Sequence, residues 1–199
     1  MSAENKKIVI KDLTKSFKNT PVFSSFSANI SGNTAIMGVS GKGKTTLVRI
    51  ITGLDTDFEG SVDFDFSPEF SVVFQQDRLF DGFSALENVT AAMGKGRFDK
   101  GAREKAKAIL SSLLISPEDQ LKRVRDFSGG MRRRVALARA LAASGNVLVL
   151  DEPYKGLDEK TRAHCAAFVK EYASDRLILL VTHDRAEAEL MGIENFISV

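Results

Sequence analysis

Short hydrophobic runs dominate the chain up to about residue 84. They are rich in Phe, Val and Ile, which are residue types enriched in β-strands. The pattern predicts strands at residues 7–13, 22–30, 34–37, 61–66 and 70–74. One run with helical spacing, residues 45–51, interrupts them and predicts a single helix. This first part of the chain is therefore expected to be mainly β-sheet.

The hydrophobic period changes to that of helices from Ser84 to about Ala143. Ser84 followed by Glu87 matches a capping box, and Ser116 before Pro117 matches a helix start. After this block, strand-like and helical runs alternate, at residues 146–150, 159–173, 177–182, 185–191 and 196–199. Such alternation is typical of βαβ units in a parallel sheet. The pattern predicts an α/β fold with a helical insertion, which is expected to contain a surface loop at residues 94–101.

Length and composition narrow the class of protein. A chain of 199 residues has room for one domain, and 43% hydrophobic with 27% charged residues is ordinary for a globular protein. No apolar run approaches the roughly 18 residues needed to cross a bilayer. The single cysteine, Cys165, excludes an intramolecular disulfide and fits a reducing compartment. A net charge of +2 gives no argument for nucleic-acid binding.

Residues 38–45, Gly-Val-Ser-Gly-Lys-Gly-Lys-Thr, match the phosphate-loop motif between a predicted strand and a predicted helix. Glycines let the backbone curl so that its N–H groups face phosphate oxygens, and the helix adds the positive end of its dipole. Lys44 is expected to reach the β- and γ-phosphates, and Thr45 to offer its hydroxyl to Mg²⁺. A glycine-rich turn without a ligand is the alternative, but motif and context rarely coincide by chance. The predicted nucleotide-binding residues here are Gly38, Ser40, Gly41, Lys42, Gly43, Lys44, Thr45 and Thr46.

Two adjacent carboxylates follow an apolar strand pattern. Residues 147–150 are all hydrophobic and lead into Asp151 and Glu152. At the carboxyl edge of an open α/β sheet, such side chains face the ligand crevice. Asp151 is suited to hold Mg²⁺, and Glu152 to accept a proton from the attacking water. Ordinary turn chemistry also produces Asp-Glu-Pro after a strand, so the spacing alone leaves that alternative open.

With a third segment, residues 127–141, the chain resembles the ATP-binding cassette (ABC) ATPases over nearly its whole length. The resemblance implies that residues 128–130, Ser-Gly-Gly, open a helix whose N-terminus meets the γ-phosphate of ATP held by another subunit. Small residues at a helix N-terminus present N–H groups to an anion, as the phosphate loop does. Other family motifs occur in order. They imply roles for Gln75 in the Mg²⁺ and water site, Asp158 at the dimer interface, His183 as the switch histidine and Phe17 as the ring stacking on adenine.

The resemblance also implies the architecture. A P-loop NTPase core, residues 1–83 and 144–199, would include an N-terminal antiparallel β subdomain. It would carry an inserted helical subdomain, residues 84–143, within a single domain spanning residues 1–199.

The implied assembly is a head-to-tail homodimer that encloses ATP and Mg²⁺, closes with ATP and opens after hydrolysis. Separate transmembrane permease subunits would receive this motion near residues 76–83. The chain is therefore expected in the cytoplasm, peripheral on the inner face of the cell membrane. Nucleic acid is not an expected partner.

The motifs and the resemblance together give one chemical assignment. The predicted catalytic residues are Lys44, Gln75, Glu152 and His183, with Glu152 as the base. The predicted Mg²⁺ ligands are Thr45, Gln75 and Asp151. Beyond the phosphate loop, the residues predicted to bind ATP are Phe17, Ser128, Gly129, Gly130 and Asp158.

Three departures from the family pattern bear on these expectations. Lys42 adds a charge at a phosphate-loop position that usually holds a small residue. Its side chain points either to the bound anion or to solvent. Met131 follows the two glycines where Gln is commoner, a variant similar to importer ATPases of the nitrate, sulfonate and taurine type. Phe17 replaces the usual Tyr, which keeps the stacking face and removes a hydroxyl.

Two surface features each have two interpretations. The arginines at residues 132–134 are spread around a helix, so a solvated or ion-paired face is favoured over a nucleic-acid surface. Leu79, Phe80 and Phe83 either form an exposed apolar patch for the permease subunits or belong to the subunit's own core.

Other functions are kept as alternatives. A small phosphate-loop kinase shares the first motif but has no use for residues 128–130 or for His183. Soluble, non-transport ABC ATPases acting on DNA or ribosomes carry longer insertions or a second cassette. A degenerate cassette that binds ATP only as a switch is disfavoured by the presence of Glu152 and His183. The sequence encodes neither the transported substrate nor the direction of transport.

Overall fold

A computed structural model describes residues 6–18, 20–94 and 99–199. The strands are β1 (Lys7–Phe17), β2 (Thr20–Ser31), β3 (Thr34–Met37), β4 (Glu59–Phe64), β5 (Phe70–Val73), β6 (Val147–Asp151), β7 (Leu177–Thr182) and β8 (Asn195–Ser198). The α-helices are α1 (Lys44–Ile51), α2 (Ala85–Ala91), α3 (Lys100–Ser112), α4 (Gly129–Ala142), α5 (Glu159–Tyr172) and α6 (Arg185–Leu190).

The described strands form two sheets. β1 pairs antiparallel with β2 and with β4, which gives a three-stranded sheet in the order β2-β1-β4. The other five strands form a parallel sheet in the order β5-β6-β7-β3-β8. An α/β fold with an N-terminal antiparallel sheet is thus confirmed. β1 extends to Phe17, beyond the predicted end at Leu13, because register shifts carry its pairing with β2 past Leu13.

The block from Ser84 to Ala143 is less helical than its pattern predicts. Residues 113–128 contain only two 3₁₀ segments, Asp119–Leu121 and Val124–Asp126, between turns. Ser116 accepts the N–H of Asp119 at 3.2 Å and so caps a turn instead of an α-helix. The buried amide of Gln120 donates to Ser111 Oγ at 2.9 Å and to the carbonyl oxygen of Ile115 at 3.1 Å. These contacts hold the segment against the end of α3.

The capping box before α2 is confirmed. The N–H of Glu87 donates to Ser84 Oγ at 3.2 Å, and the N–H of Ser84 donates to Glu87 Oε2 at 2.9 Å.

Of the loop expected at residues 94–101, residues 95–98 lie outside the described part of the chain, whereas Gly101 belongs to α3. In the parts that the structure describes, no helix is both long and apolar enough to cross a membrane.

The parallel sheet is packed on both faces. β6 and β7 are buried at every residue. Because neighbouring side chains on a strand point to opposite faces, Leu148 and Leu150 join a core with α2, α3, α4 and α5. Val147 and Val149 join a second core with α1, β1 and β2. This packing fixes the positions at which β6 and β7 end.

Gly145, just before β6, lies where a side chain has no room. A Cβ there would lie 2.6 Å from the carbonyl oxygen of Glu69 and 2.7 Å from Ser71 Oγ. We expect Gly145→Ala to lower the free energy of unfolding by about 1 to 3 kcal/mol, because the backbone beside β5 must move apart. Urea unfolding measures this. Gly82→Ala is the matched control, since a Cβ at Gly82 meets nothing within 4 Å. Equal transition midpoints for the two variants would contradict the close contact.

Candidate functional site

The carboxyl ends of three neighbouring parallel strands meet at one edge of the sheet. The register pairs Asp151 of β6 with Val181 of β7, and Met37 of β3 with Thr182 of β7. Parallel strands bring their carboxyl ends to the same edge, where open α/β sheets bind ligands. The residues that directly follow β3, β6 and β7 are Gly38, Glu152 and His183.

The phosphate loop connects β3 to α1, and two of its glycines have positive φ angles. Gly41 and Gly43 have φ angles of 84° and 100°, in the region that favours glycine. A Cβ at Gly43 would also lie 2.6 Å from Cγ1 of Val22 and 2.9 Å from Cζ of Phe23. The loop is therefore held tightly against β2.

Helix α1 differs from the other α-helices of the described residues at its N-terminus. It begins after Gly43, with no side chain that caps it and no acidic residue in its first turn. The other five helices begin after side chains that accept a backbone N–H of the first turn, namely Ser84, Asp99, Ser128, Asp158 and Asp184. The positive end of α1 is thus neutralised by none of its own side chains, which suits an anionic ligand.

The two lysines of the phosphate loop lie in different environments. Lys44 is 7% exposed, and its Nζ donates to the carbonyl oxygens of Gly38 at 2.6 Å and Val39 at 3.1 Å. Lys42 is exposed, and its backbone N–H donates to the carbonyl oxygen of Val39 at 3.3 Å. The ammonium group of Lys44 is therefore bound to the first two residues of the loop.

Asp151 combines deep burial with one close hydroxyl. Its side chain is 1% exposed, and Oδ2 accepts a hydrogen bond from Thr45 Oγ1 at 3.0 Å. Burial raises the pKa of Asp151 above its ordinary value, although Thr45 and the charges of Lys44 and Arg133 act in the opposite direction. The hydroxyl and the carboxylate are both oxygen ligands of the kind that Mg²⁺ prefers.

No group of three or more His, Cys, Asp or Glu side chains suited to hold a metal occurs in residues 6–18, 20–94 and 99–199. Mg²⁺ commonly uses one or two protein ligands and takes the rest from phosphates and water. The pair formed by Thr45 and Asp151 therefore fits Mg²⁺ bound together with a nucleotide.

Glu152 is surrounded by three polar side chains. Its Oε2 accepts from Gln75 Nε2 and from Lys155 Nζ, each at 3.3 Å, and Nδ1 of His183 lies 3.7 Å from Oε1. Burial acts to raise the pKa of Glu152, but the hydrogen bond and charge of Lys155, helped by Gln75, outweigh it and lower that pKa. Glu152 also has a φ of 48°, which is rare for a residue with a side chain. Surrounding structure must hold such a backbone in place.

Two adjoining clefts run along these residues. The first has a volume of about 330 Å³ and is lined by Phe17, Val22, Ser40, Gly41, Gly43, Lys44, Thr45, Thr46, Gln75, Asp151 and Glu152. The second has a volume of about 670 Å³ and is lined by Gly38, Val39, Ser40, Lys44, Glu152, Lys155 and His183. Ser40, Lys44 and Glu152 belong to both linings, so they mark the junction. Most of the residues predicted to act in the site lie in one cleft or the other.

Five of the predicted residues line neither cleft: Lys42, Ser128, Gly129, Gly130 and Asp158. Ser128 Oγ accepts the N–H of Met131 at 3.3 Å, and Asp158 Oδ1 accepts the N–H of Thr161 at 3.0 Å, so both cap helices. A Cβ at Gly130 would lie 3.3 Å from Cδ2 of Leu157. The start of α4 and the segment before α5 therefore lie side by side.

Residues 24–155 match the ABC transporter family, which is more than half of the chain. The chain belongs to the ABC transporter family. Aliphatic sulfonates import ATP-binding protein SsuB 1 of Rhizobium johnstonii is 36% identical over 91% of this chain and 69% of that protein. SsuB of Corynebacterium glutamicum is 34% identical over 90% of this chain and 74% of that protein. Taurine import ATP-binding protein TauB of Burkholderia pseudomallei is 36% identical over 79% of this chain and 64% of that protein.

A solved structure also matches this cassette. It is a dimeric structure of MJ0796, a bacterial ABC transporter cassette, with a TM-score of 0.86 and 28% identity over 96% of this chain and 94% of that one. A post-hydrolysis state of MJ0796 bound to ADP and phosphate has the same TM-score at 27% identity. These similarities confirm the predicted importer-like ABC ATPase and its fold. They also confirm the class of activity, ATP hydrolysis that powers a membrane transporter.

The arginines of α4 bind groups on neighbouring segments of the cassette. Arg133 is 6% exposed and donates to the carbonyl oxygens of Phe74, at 2.8 Å, and Gln75. Arg132 pairs with Asp81 at 2.8 Å. Arg133 Nη1 also lies 3.2 Å from Oδ1 of Asp77. The expectation of ion pairing is thus right for Arg132 and Arg133, whereas a solvated face is wrong for Arg133. The contacts of Arg133 join residues 59 positions apart, so no local pattern reveals them.

Arg134 also binds a neighbouring segment and is not part of a solvated face. It donates to the carbonyl oxygens of Leu113, at 3.0 Å, and Leu114. These contacts satisfy carbonyl groups at the end of α3.

The apolar residues after β5 divide between surface and core. Leu79 is 9% exposed and belongs to the core, which is the second of the two interpretations. Phe80 and Phe83 are 55% and 43% exposed, with ring centroids 5.3 Å apart. The two rings form an exposed apolar pair beside Leu79.

The burial of Asp151 predicts a stability cost in the absence of ligand. The pKa of Asp151 in the folded state lies above its ordinary value of 3.8. The folded state therefore loses stability as the pH rises from 3.8 through the folded pKa, where the buried carboxylate becomes charged. Asp151→Asn removes this charge and keeps an oxygen for Thr45. We expect its thermal midpoint at pH 7 to rise by about 2 to 4 °C without nucleotide, and the gain to shrink as the pH falls. The exposed Asp63→Asn is the control, and a lower midpoint for Asp151→Asn would contradict the argument.

Proposed function

We propose that two copies of this cassette assemble head to tail and hydrolyse ATP with Mg²⁺, driving an importer for small sulfonates. One observation carries the catalytic part. Lys44, Gln75 and Glu152 line the clefts, whereas residues 128–130 line neither, which supports a site completed by the signature segment of a second copy. Dimeric MJ0796 supports assembly of two copies. The names of the SsuB and TauB relatives support sulfonate import over the soluble ABC ATPase and ATP-binding switch alternatives.

Phe17 offers its ring to the adenine base. It is 50% exposed and lines the first cleft, where Val22 is its apolar neighbour. Nζ of Lys15 lies 5.0 Å from the centroid of the ring and helps to orient it. With the base at Phe17, the phosphates follow the loop towards Lys44, whose hydrogen bonds to Gly38 and Val39 are replaced by bonds to phosphate oxygens.

Thr45 and Asp151 are the proposed Mg²⁺ ligands, with Gln75 completing the site through its side-chain oxygen. When bound, Mg²⁺ neutralises negative charge on the reacting phosphates. The burial of Asp151, which is 1% exposed, strengthens each electrostatic contact that it makes.

Glu152 is the proposed base for the attacking water. Its carboxylate lies at the junction of the two clefts, within reach of Gln75 and His183, and general bases act from hydrogen-bond distance. His183 is 70% exposed in the second cleft and is the proposed contact to the terminal phosphate. The start of α4 in the second copy would add N–H groups and the hydroxyl of Ser128 to the same phosphate.

Phe80 and Phe83 are the proposed contact for permease subunits on the inner face of the membrane. An exposed aromatic pair is costly to leave in water and is typical of a protein interface. Phe80 and Phe83 lie on the segment that continues from Gln75. A partner docked on this pair would therefore contact the same segment that carries Gln75.

Replacing the proposed base separates binding from hydrolysis. We expect Glu152→Gln to lower ATP turnover about 10²- to 10⁴-fold, because the amide cannot accept the proton of water. ATP affinity should persist, and gel filtration should show an ATP-bound dimer. Glu104→Gln, on the exposed face of α3, is the control and should turn over ATP like the native chain. Native turnover in Glu152→Gln would exclude Glu152 as the base.

Mixing two inactive variants tests whether each site uses two copies. Lys44→Ala removes the phosphate-loop ammonium, and Ser128→Asp keeps a good helix cap while placing negative charge against the phosphate. In a mixed head-to-tail dimer, both defects fall in one site and the other site is intact. We expect an equimolar mixture to recover up to about a quarter of the native turnover.

The double variant carrying both changes in one chain is the control, and mixing it with either single variant should recover nothing. Mixed dimers can be verified with two affinity tags. If tagged mixed dimers form but turnover does not exceed that of the separate variants, the composite site is overturned.

A further inference from the structure

The turn after β6 folds Lys155 back over Glu152. The N–H of Lys155 donates to the carbonyl oxygen of Glu152 at 3.3 Å, with Pro153 at the second position of the turn, where proline is favoured. Tyr154, the third position, is 1% exposed, and its hydroxyl donates to Sδ of Met191 at 3.0 Å. The buried Tyr154 anchors the turn, so the backbone itself keeps Lys155 beside the carboxylate.

The backbone of Lys155 is fixed by this turn, but its side chain is free to move. Its ammonium lies 3.3 Å from Oε2 of Glu152, but the side chain is 62% exposed. Exposed ion pairs are weak, and lysine carries its charge on a flexible four-carbon stem. A more highly charged anion entering the site can therefore take the ammonium from Glu152.

The two clefts indicate which anion this is. Lys155 and His183 line the second cleft, whereas Phe17 lines only the first. A nucleotide with its base at Phe17 extends its phosphates towards the junction at Ser40 and Lys44. The terminal phosphate of ATP reaches furthest towards the second cleft, and ADP lacks that group. Lys155 thus lies where the two nucleotides differ.

We propose that Lys155 leaves Glu152 to bind the terminal phosphate when ATP enters, and so adds to the preference of the site for ATP over ADP. The inference rests on the proposed function, because it uses the same orientation of the nucleotide. The ammonium of Lys155 then has a partner in both states, Glu152 without nucleotide and a phosphate oxygen with ATP. Both contacts are hydrogen bonds between ionised groups, and the terminal phosphate carries more negative charge than a carboxylate, which favours the exchange.

The test compares the affinities for ATP and ADP without hydrolysis. Calorimetric titrations with ATP and with ADP are made in excess EDTA, on the native chain, Lys155→Met and Lys155→Arg. We expect Lys155→Met to lower the ratio of ATP to ADP affinity about three- to tenfold, the size expected when one partly exposed charged contact is lost. Lys155→Arg, which keeps the charge, should retain most of the ratio.

Lys107→Met is the matched control, because Lys107 forms an exposed ion pair with Glu104 across the same three-residue spacing. A role limited to folding would lower both affinities or neither, and would leave their ratio unchanged. An unchanged ratio in Lys155→Met, with native binding of both nucleotides, overturns the inference alone. If the native chain binds neither nucleotide, the proposed function fails and the inference fails with it.

Discussion

The alignment of β3, β6 and β7 is the constraint on which the site depends. β6 and β7 are buried at every residue, and each face of the sheet packs into a separate core. A slip of one residue along β6 would exchange Val and Leu side chains between two closely packed cores, so the register is strongly specified. With the register fixed, the strand ends bring the phosphate loop, the two carboxylates and His183 to one edge. The site is thus a consequence of core packing a few residues away.

The edge of the sheet carries costs that the core must offset. Asp151 is a carboxylate at 1% exposure, Glu152 has a left-handed backbone, and α1 begins without a capping side chain. Each of these features opposes stability in the absence of ligand and favours a ligand with phosphate oxygens and a cation. Two cations of the site already have protein partners, Lys44 two carbonyl oxygens of the loop and Lys155 one carboxylate. In the proposed site a nucleotide would exchange phosphate oxygens for these partners, so neither ammonium would be unpaired in either state.

Sequence patterns predict the parts of the molecule that local chemistry decides. The phosphate loop, the strand that ends in Asp151 and the capping box at Ser84 are each specified within about eight neighbouring residues, and their backbone conformations agree with the patterns. The patterns fail where distant contacts decide. Arg133, expected on a solvated or ion-paired face, is buried because it donates to carbonyl oxygens 59 and 58 positions away, and the choice between surface and core for Leu79 is made only when the core assembles. The contact between Lys155 and Glu152 is local, and the proline turn between them is a signal that could have predicted it.

Two arginines of α4, the buried Arg133 and the partly buried Arg139, join two segments of the cassette that are distant in sequence. Arg133 donates to the carbonyl oxygens of Phe74 and Gln75, and Arg139 to those of Asp77, at 2.9 Å, and Arg78, at 2.6 Å. Guanidinium groups that bond two carbonyls at once resist rotation more than single contacts do. The helix that begins after the signature serine is thereby tied to the segment between Gln75 and the exposed phenylalanines. Because breaking buried, charge-assisted hydrogen bonds is costly, α4 and this segment are expected to move together. A displacement at the apolar pair would then reach the proposed Mg²⁺ site and the signature helix in a single motion.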